Sequence, residues 1–441
     1  MVKEQPKVRE YLNADAMREK LRNRFEEIED QRVNPKISLP DALMSGFAVF
    51  ALKDPSLLAF DERRQDPNSN LKSIFGIDRV PTDSQLRDIL DPVEPSSLRP
   101  CFTDIFRDLQ RGKALDAYRF LDDHYLLSFD GSEFFNSKKI NCPNCQEKHH
   151  KNGTVTYAHQ MLSAVIVHPD MAEVIPVMPE PINKQDGQQK NDCELNGAKR
   201  FFPAFRQEHP HLKVIAVGDG LNSNAPLIRL LRLWDFGFIL VAKPGDHGFL
   251  FEQMEEAYST GKAQVETIWE ESTGKLHHFR WVNSVMLNES NPDVLVNFLE
   301  YWEIDKDGKI QCFSWVTHVE LRVEIVWDVM RGGRARWKVE NETHNTLKNQ
   351  GYHYDHNFGH GNNHLAVIFA LLMFLAFAVD QVQQLSCGLF KAVWEKMGSK
   401  RRLWDEMRHL FHCFKFSSMR QLLEAMLAGI VKQTPTLINS S

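Results

Sequence analysis

Apolar and polar positions change rhythm twice along the chain. Over residues 1–115, charged segments such as 16–32 alternate with breaks at Pro35, Pro40, Pro81 and Pro92, which predicts a helical N-terminal domain. Thr82 followed by Gln85, ahead of Leu86, Ile89 and Leu90, predicts one capped helix start within it. From Tyr125 short apolar runs take over, at residues 125–129, 155–167, 173–177, 212–218 and 236–242. Helices are expected between them over residues 192–202 and 226–233. Strands that first follow one another and then alternate with helices predict a mixed α/β sheet covered by helices, an α+β arrangement spanning residues 116–246.

The texture changes again over residues 247–318, where β-like runs at 265–269, 276–281, 294–302 and 310–316 are separated by turns at Gly274 and Asp307-Gly308. This reads as a β-rich insertion, with Trp269, Trp281, Trp302 and Trp315 expected in its core rather than as a platform for stacking bases. Residues 319–386 return to the sheet-and-helix core, and residues 387–441 are expected to form C-terminal helices. The longest apolar run, residues 365–379, is 15 residues. A bilayer span needs about 20, so the run predicts a buried helix. Residues 185–191 are a predicted flexible loop.

Composition narrows this picture only a little. A chain of 441 residues is long for one domain and predicts two or three units. A formal net charge of −6 excludes a protein that coats nucleic acid, although local basic patches could still bind it. Seven cysteines, odd in number and scattered, with a charged start that does not resemble a signal peptide, predict a reducing cytoplasm and thiols or a metal site instead of disulfides.

The candidate chemistry lies in three carboxylates. Two apolar runs end in Asp-Gly, at Asp130 and Asp219, where α/β sheets usually keep their chemistry. Glu340 follows four cations, Arg331, Arg334, Arg336 and Lys338, in a stretch free of Gly and Pro over residues 334–350. On a regular helix Arg336, Glu340, His344 and Lys348 share one broad face. Hard oxygen donors brought together in this way suit a pair of divalent ions about 4 Å apart, which is the chemistry of phosphodiester cleavage.

The segments Phe-Asp-Gly-Ser-Glu-Phe-Phe at 129–135, Val-Gly-Asp-Gly-Leu-Asn-Ser-Asn at 217–224, and Arg-Trp-Lys-Val-Glu-Asn-Glu from 336, followed by Leu-Lys-Asn-Gln-Gly-Tyr, resemble the DDE transposases of bacterial insertion sequences. The resemblance covers most of residues 120–385. It implies an RNase H-like catalytic core interrupted by a β insertion, a magnesium-dependent nuclease and polynucleotidyl transferase, and catalytic metal ligands at Asp130, Asp219 and Glu340. It also implies double-stranded DNA as partner, both terminal inverted repeats and target, a homodimer on that DNA, and a cytoplasmic, nucleoid-associated protein. Mn2+ could substitute for Mg2+. Arg336, Lys348, Lys243 and Arg334 are the expected DNA contacts. The family's helix signature, Tyr-x2-Arg-x3-Glu-x6-Lys, is met in part: Gly333 stands at the Tyr position and Lys348 comes one place late, which leaves Glu342 as a rival to Glu340. A nuclease of the same fold that does not join strands, and a non-catalytic DNA-binding protein, are the alternatives.

Three further features stay open on sequence. Cys142-Pro-Asn-Cys145 with His149 and His159 has the chemistry of a structural zinc knuckle, against ordinary thiols in a loop. Lys243 is either a phosphate ligand or an exposed turn lysine, and His353, His356, His360 and His364 are read as polar contacts in a loop, with another metal site as the alternative. The N-terminal helices could bind DNA ends or serve packing or dimerisation.

Overall fold

The computed structural model describes residues 12–63, 70–184 and 193–429. The loop expected at residues 185–191 lies outside them. The fold is mixed α/β, as the apolar rhythm predicts, and divides into two compact units. One comprises Asp116–Ser132 and Gln160–Thr343; the other comprises Met1–Leu115, Glu133–His159 and His344–Ser441.

The twelve strands of the described residues are β1 (Arg119–Phe120), β2 (His124–Ser137), β3 (Gln146–His149), β4 (Val155–Val167), β5 (Ile175–Pro176), β6 (Glu180–Ile182), β7 (Val214–Gly218), β8 (Gly237–Val241), β9 (Gln264–Glu270), β10 (Lys275–Met286), β11 (Leu295–Ile304) and β12 (Ile310–Thr317). In the first unit β2, β7 and β8 are parallel neighbours, in register at Tyr125↔Val214 through Ser128↔Val217 and at Ile215↔Gly237 through Gly218↔Leu240. All five residues of β7 are buried, as expected of a central parallel strand covered on both faces. The four strands expected between residues 265 and 316 are present as the antiparallel run β9-β10-β11-β12. Their tight turns use Gly274 and Gly308, at φ +65° and +78°, a backbone region open to glycine without a Cβ clash.

This run is an extension of the core sheet: β12 pairs antiparallel with β8 at Trp315↔Val241 and Thr317↔Ile239. Trp281 and Trp315 are buried, as expected, whereas Trp269 is 58% exposed. Two helices depart from the sequence reading. A helix at Gly248–Ser259 precedes the strands, and the helix Glu194–Glu208 runs past the expected end at residue 202, continuing through Pro203. Packing of Phe201, Phe202 and Phe205 into the core offsets the backbone bond that proline removes.

The second unit is helical. Leu365–Ser386 runs beyond the apolar stretch to 22 residues, long and apolar enough to cross a membrane, yet it is wholly buried inside the fold. A helix apolar on every face needs neighbours on every face. Here Leu39–Ala51 packs closely against it: a Cβ on Gly46 would lie 2.7 Å from Leu372. Thr82 and Gln85 form the expected capping box at Asp83–Leu90. The N-terminal helices therefore share a unit with the C-terminal ones and with Leu365–Ser386, cutting across the sequence-based divisions at 115 and 386. Long-range burial, which local patterning does not encode, draws them together.

In the same unit His344 is buried beside Tyr354, their rings stacked at 6.3 Å, and burial with the nearby Lys348 pushes its pKa down to about 4. Its folded pKa lies below the ordinary value near 6.5, so its contribution is present above about pH 6.5 and is lost as pH falls towards 4. The full effect is on the order of 3 kcal/mol. The expected outcome for His344→Leu is a flatter dependence of the unfolding midpoint on pH between about 4 and 6.5. An unchanged slope would show that His344 is not the titrating group.

Candidate functional site

In the sheet unit, the register between β2 and β7 brings the two Asp-Gly pairs to the same level. An offset of 89 residues relates the paired positions, Ser128↔Val217 being the last, and the same offset takes Asp130 to Asp219. Both residues therefore stand two positions past the paired stretch; Asp219 follows the end of β7, whereas Asp130, expected to end its strand, lies inside β2, which runs on to Ser137. Close packing holds this arrangement, since a Cβ on Gly218 would come within 2.7 Å of the buried Phe129 ring.

Asp219 caps the turn Gly220–Asn222, its Oδ1 accepting from the Asn222 backbone N–H at 3.2 Å and from Asn222 Nδ2 at 2.9 Å. One side of the carboxylate is thus fixed by neutral donors. Asp130 is only part-buried, but its pKa is pushed up to about 7, first by desolvation and then by the charges of Glu194, Glu340 and Asp219, with Arg336 acting in the other direction. Four carboxylates thus share one electrostatic environment. Glu340, rather than Glu342, is the helix carboxylate with the largest effect on Asp130.

Glu194 is the member that sequence reading missed. It stands in the first turn of Glu194–Glu208, where an acid is favoured by the helix dipole. Gly131 admits it: a Cβ there would meet the Glu194 carboxylate at 2.2 Å. Burial and Asp219 push its pKa up as well. Only the Asp-Gly pairing of 130 and 131 hinted at such an approach, because a glycine after a functional Asp can serve to let another group come close.

Glu340 lies in a π-helical turn, Val339–His344, that follows the α-helix Val326–Arg334. Such wider turns are frequent at functional sites because they re-aim side chains. Ser128 Oγ, two residues before Asp130, donates to the Arg336 carbonyl at 2.9 Å and fastens this segment to β2. Gly332 and Gly333 permit the approach of the preceding helix, since a Cβ on Gly333 would come within 2.4 Å of the Trp315 indole. A tyrosine at position 333, as in the transposase signature, has no room.

The expected face of Arg336, Glu340, His344 and Lys348 is not formed, because the π turn breaks the regular helical spacing. Arg336 pairs with Glu340 at 2.6 Å, whereas His344 is buried, and Lys348 belongs to the other unit, where it pairs with Asp355 at 3.5 Å. The basic escort is largely engaged with the protein itself. Arg331 pairs with Asp170, Arg334 with Glu303 at 2.6 Å, and Lys338 donates to the Met171 carbonyl. Arg334 also lies over Phe313, which makes it a structural cation.

Lys243 fares differently. It is exposed, and its side-chain carbons lie about where a Cβ on Gly220 would touch them, at 3.2 to 3.5 Å. His247 locks this loop to the Asp219 turn, with Nε2 2.8 Å from the Ser223 carbonyl and Nδ1 3.3 Å from the Lys243 backbone nitrogen. Trp337, next to Arg336, is 54% exposed.

The second cluster lies in the helical unit. Cys142, Cys145, His159 and His360 converge, all four ligand atoms lying within 4.8 Å of one another. The zinc set expected from sequence is corrected at one place. His149 is exposed, with Nε2 3.6 Å from Glu147, and His360 stands where it was expected.

No protein-family model matches this chain, and no curated protein matches it either. Its function therefore has to be argued from the two clusters themselves.

Proposed function

We propose that the chain is a DNA transposase of the DDE type, a divalent-cation-dependent nuclease that also joins 3′-hydroxyl ends to target DNA. The observation that carries this reading is the placement of Asp130 and Asp219 level with one another, two residues past the parallel pairing of β2 and β7, with Glu194, Glu340 and Asp219 all acting on the Asp130 carboxyl. Four clustered carboxylates of hard oxygen are a donor set for Mg2+ or Mn2+, and a cation between them would offset the burial and the neighbouring negative charges that push the Asp130 pKa up to about 7.

Asp130, Asp219 and Glu340 would hold the ions, with Glu194 beside them. Bound in a pair, Mg2+ ions supply activation of the attacking oxygen and stabilisation of the leaving one. The chain's own residues do the rest. Asn222 keeps Asp219 oriented, Arg336 holds Glu340, Lys243 offers an ammonium to a DNA phosphate, and Trp337 offers an aromatic face to a base. Phosphate contact thus rests on fewer cations than the run at 331–338 implies.

The test is a cleavage and joining assay with the full chain, Mg2+, and duplex DNA made from the sequences that flank its gene, carrying whatever inverted repeats are found there. Ends joined to a target plasmid support the proposal. Nicking without joined product leaves a nuclease of this site, and no cation-dependent nicking overturns the catalytic reading.

A further inference from the structure

Cys142 and Cys145 sit on a tight turn in which the Cys145 N–H donates to the Cys142 carbonyl at 3.1 Å and the Cys142 N–H points at the Cys145 sulfur at 3.4 Å. The two sulfurs are 3.8 Å apart and both thiols are free. His159 Nε2 is 3.4 Å from Cys142 Sγ and 3.5 Å from Cys145 Sγ, and His360 Nε2 is 3.2 Å from Cys145 Sγ.

These four distances lie close to the edges of a coordination tetrahedron, and all four ligand atoms lie within 4.8 Å of one another. Ligands at about 2.3 Å for sulfur and about 2.05 Å for nitrogen, set at tetrahedral angles, imply edges of about 3.8 Å between sulfurs and about 3.6 Å between sulfur and nitrogen. The rings are oriented for this role by aromatic packing. Phe134 stacks on His159 at 5.8 Å and 19°, and the Phe135 ring centre is 4.4 Å from that of His360. In both rings Nε2 faces the sulfurs, while Nδ1 is buried without a hydrogen-bond partner. Cys145 and His159 are each 1% exposed, so two thiols and two imidazoles converge where water does little to satisfy them.

We infer that Cys142, Cys145, His159 and His360 bind one zinc ion in a closed structural site. Soft thiolate with imidazole in a tetrahedron selects zinc over the hard cations suited to the carboxylate cluster. Four protein ligands leave no open position for a substrate, so the site is structural. The ion closes a loop between Cys145 and His360 and ties residues 133–159 to the segment entering Leu365–Ser386, within one unit. The inference does not depend on the transposase reading.

The experiment is metal analysis by inductively coupled plasma mass spectrometry on the full chain, purified without added metal or chelator, with thermal unfolding before and after a strong zinc chelator. One zinc per chain is expected, with its removal lowering the unfolding midpoint by about 10 °C or more. His360→Ala and Cys142→Ser should lose the ion, while His149→Ala should keep it. A wild-type chain without metal and with a Cys142–Cys145 disulfide would make the pair a redox couple and overturn the inference. Bound iron in place of zinc, or a site lost in His149→Ala and kept in His360→Ala, would overturn it as well. Because the wild-type stoichiometry is read first, failure of a variant to fold does not blunt the test.

Discussion

Asp130→Asn and Asp219→Asn are each expected, if the proposed transposase site is right, to lower Mg2+-dependent nicking of duplex DNA by about 10³-fold or more, because each would remove an anionic ligand from a site where charge and position carry the chemistry. Asparagine keeps the shape at 130, and at 219 it can still cap the Gly220–Asn222 turn. Thermal stability gives the control. The Asp130 carboxyl is pushed up to about 7 by burial and by neighbouring carboxylates, so above that pH its ionised form works against folding of the metal-free chain. Asp130→Asn is therefore expected to unfold no lower than wild type at pH 8, and to gain less from added Mg2+. Glu340→Gln should match the Asp variants, Glu342→Gln should not, and Glu194→Gln should fall between. Retained nicking in both Asp variants would refute the site, and a Glu342→Gln variant as inactive as Glu340→Gln would reopen the choice of the third ligand.

Breaking the buried ion pair of the helical unit is expected to have the largest effect on stability. Lys53 Nζ lies 2.6 Å from Asp380 Oδ2, with the two side chains 0% and 6% exposed. The same oxygen accepts from Tyr352, and the ammonium lies 4.0 Å from the Tyr352 ring centre and 4.3 Å from that of Trp404. Burial pushes the Lys53 pKa down, and Asp380 opposes this. Removing one partner leaves the other charge in an apolar interior, at a cost of about 3 to 5 kcal/mol. Asp380→Ala and Lys53→Ala should each shift the denaturant midpoint accordingly. A Lys53→Met, Asp380→Leu double variant should cost less than either single change, since the apolar pair leaves no unpaired charge. A single-variant loss below about 1 kcal/mol would mean that water reaches the pair.

Much of the fold was legible locally. The strand ending before Asp219, the four insertion strands with glycine turns at 274 and 308, and the Thr82 capping box depend on near neighbours and are present where the pattern places them; the expected turn at Asp130-Gly131 is not, since β2 continues to Ser137. Glu194 was illegible because its place in the cluster rests on a glycine at 131 rather than on any local motif. The fate of the cations at 331–338 was illegible for the same kind of reason. Asp170, Glu303 and the Met171 carbonyl are distant in sequence, and their approach turns an apparent phosphate-binding run into internal ion pairs and hydrogen bonds.

The two clusters divide the credit in different ways. For the carboxylates, period and turn chemistry by themselves placed Asp219 just past the end of β7, because strand length and Asp-Gly punctuation are local properties, whereas Asp130 lies inside β2, which pairing with its neighbours carries on to Ser137. The parallel register that brings Asp130 level with Asp219, and the π turn that carries Glu340, were decided by packing between elements. For the Cys/His cluster the sequence alone marked Cys142, Cys145 and His159 as candidate members, with a structural zinc and ordinary loop thiols both open. The fourth member required the tertiary structure, since His360 is 215 residues from Cys145 and only the packing of its loop brings its ring nitrogen to the sulfur.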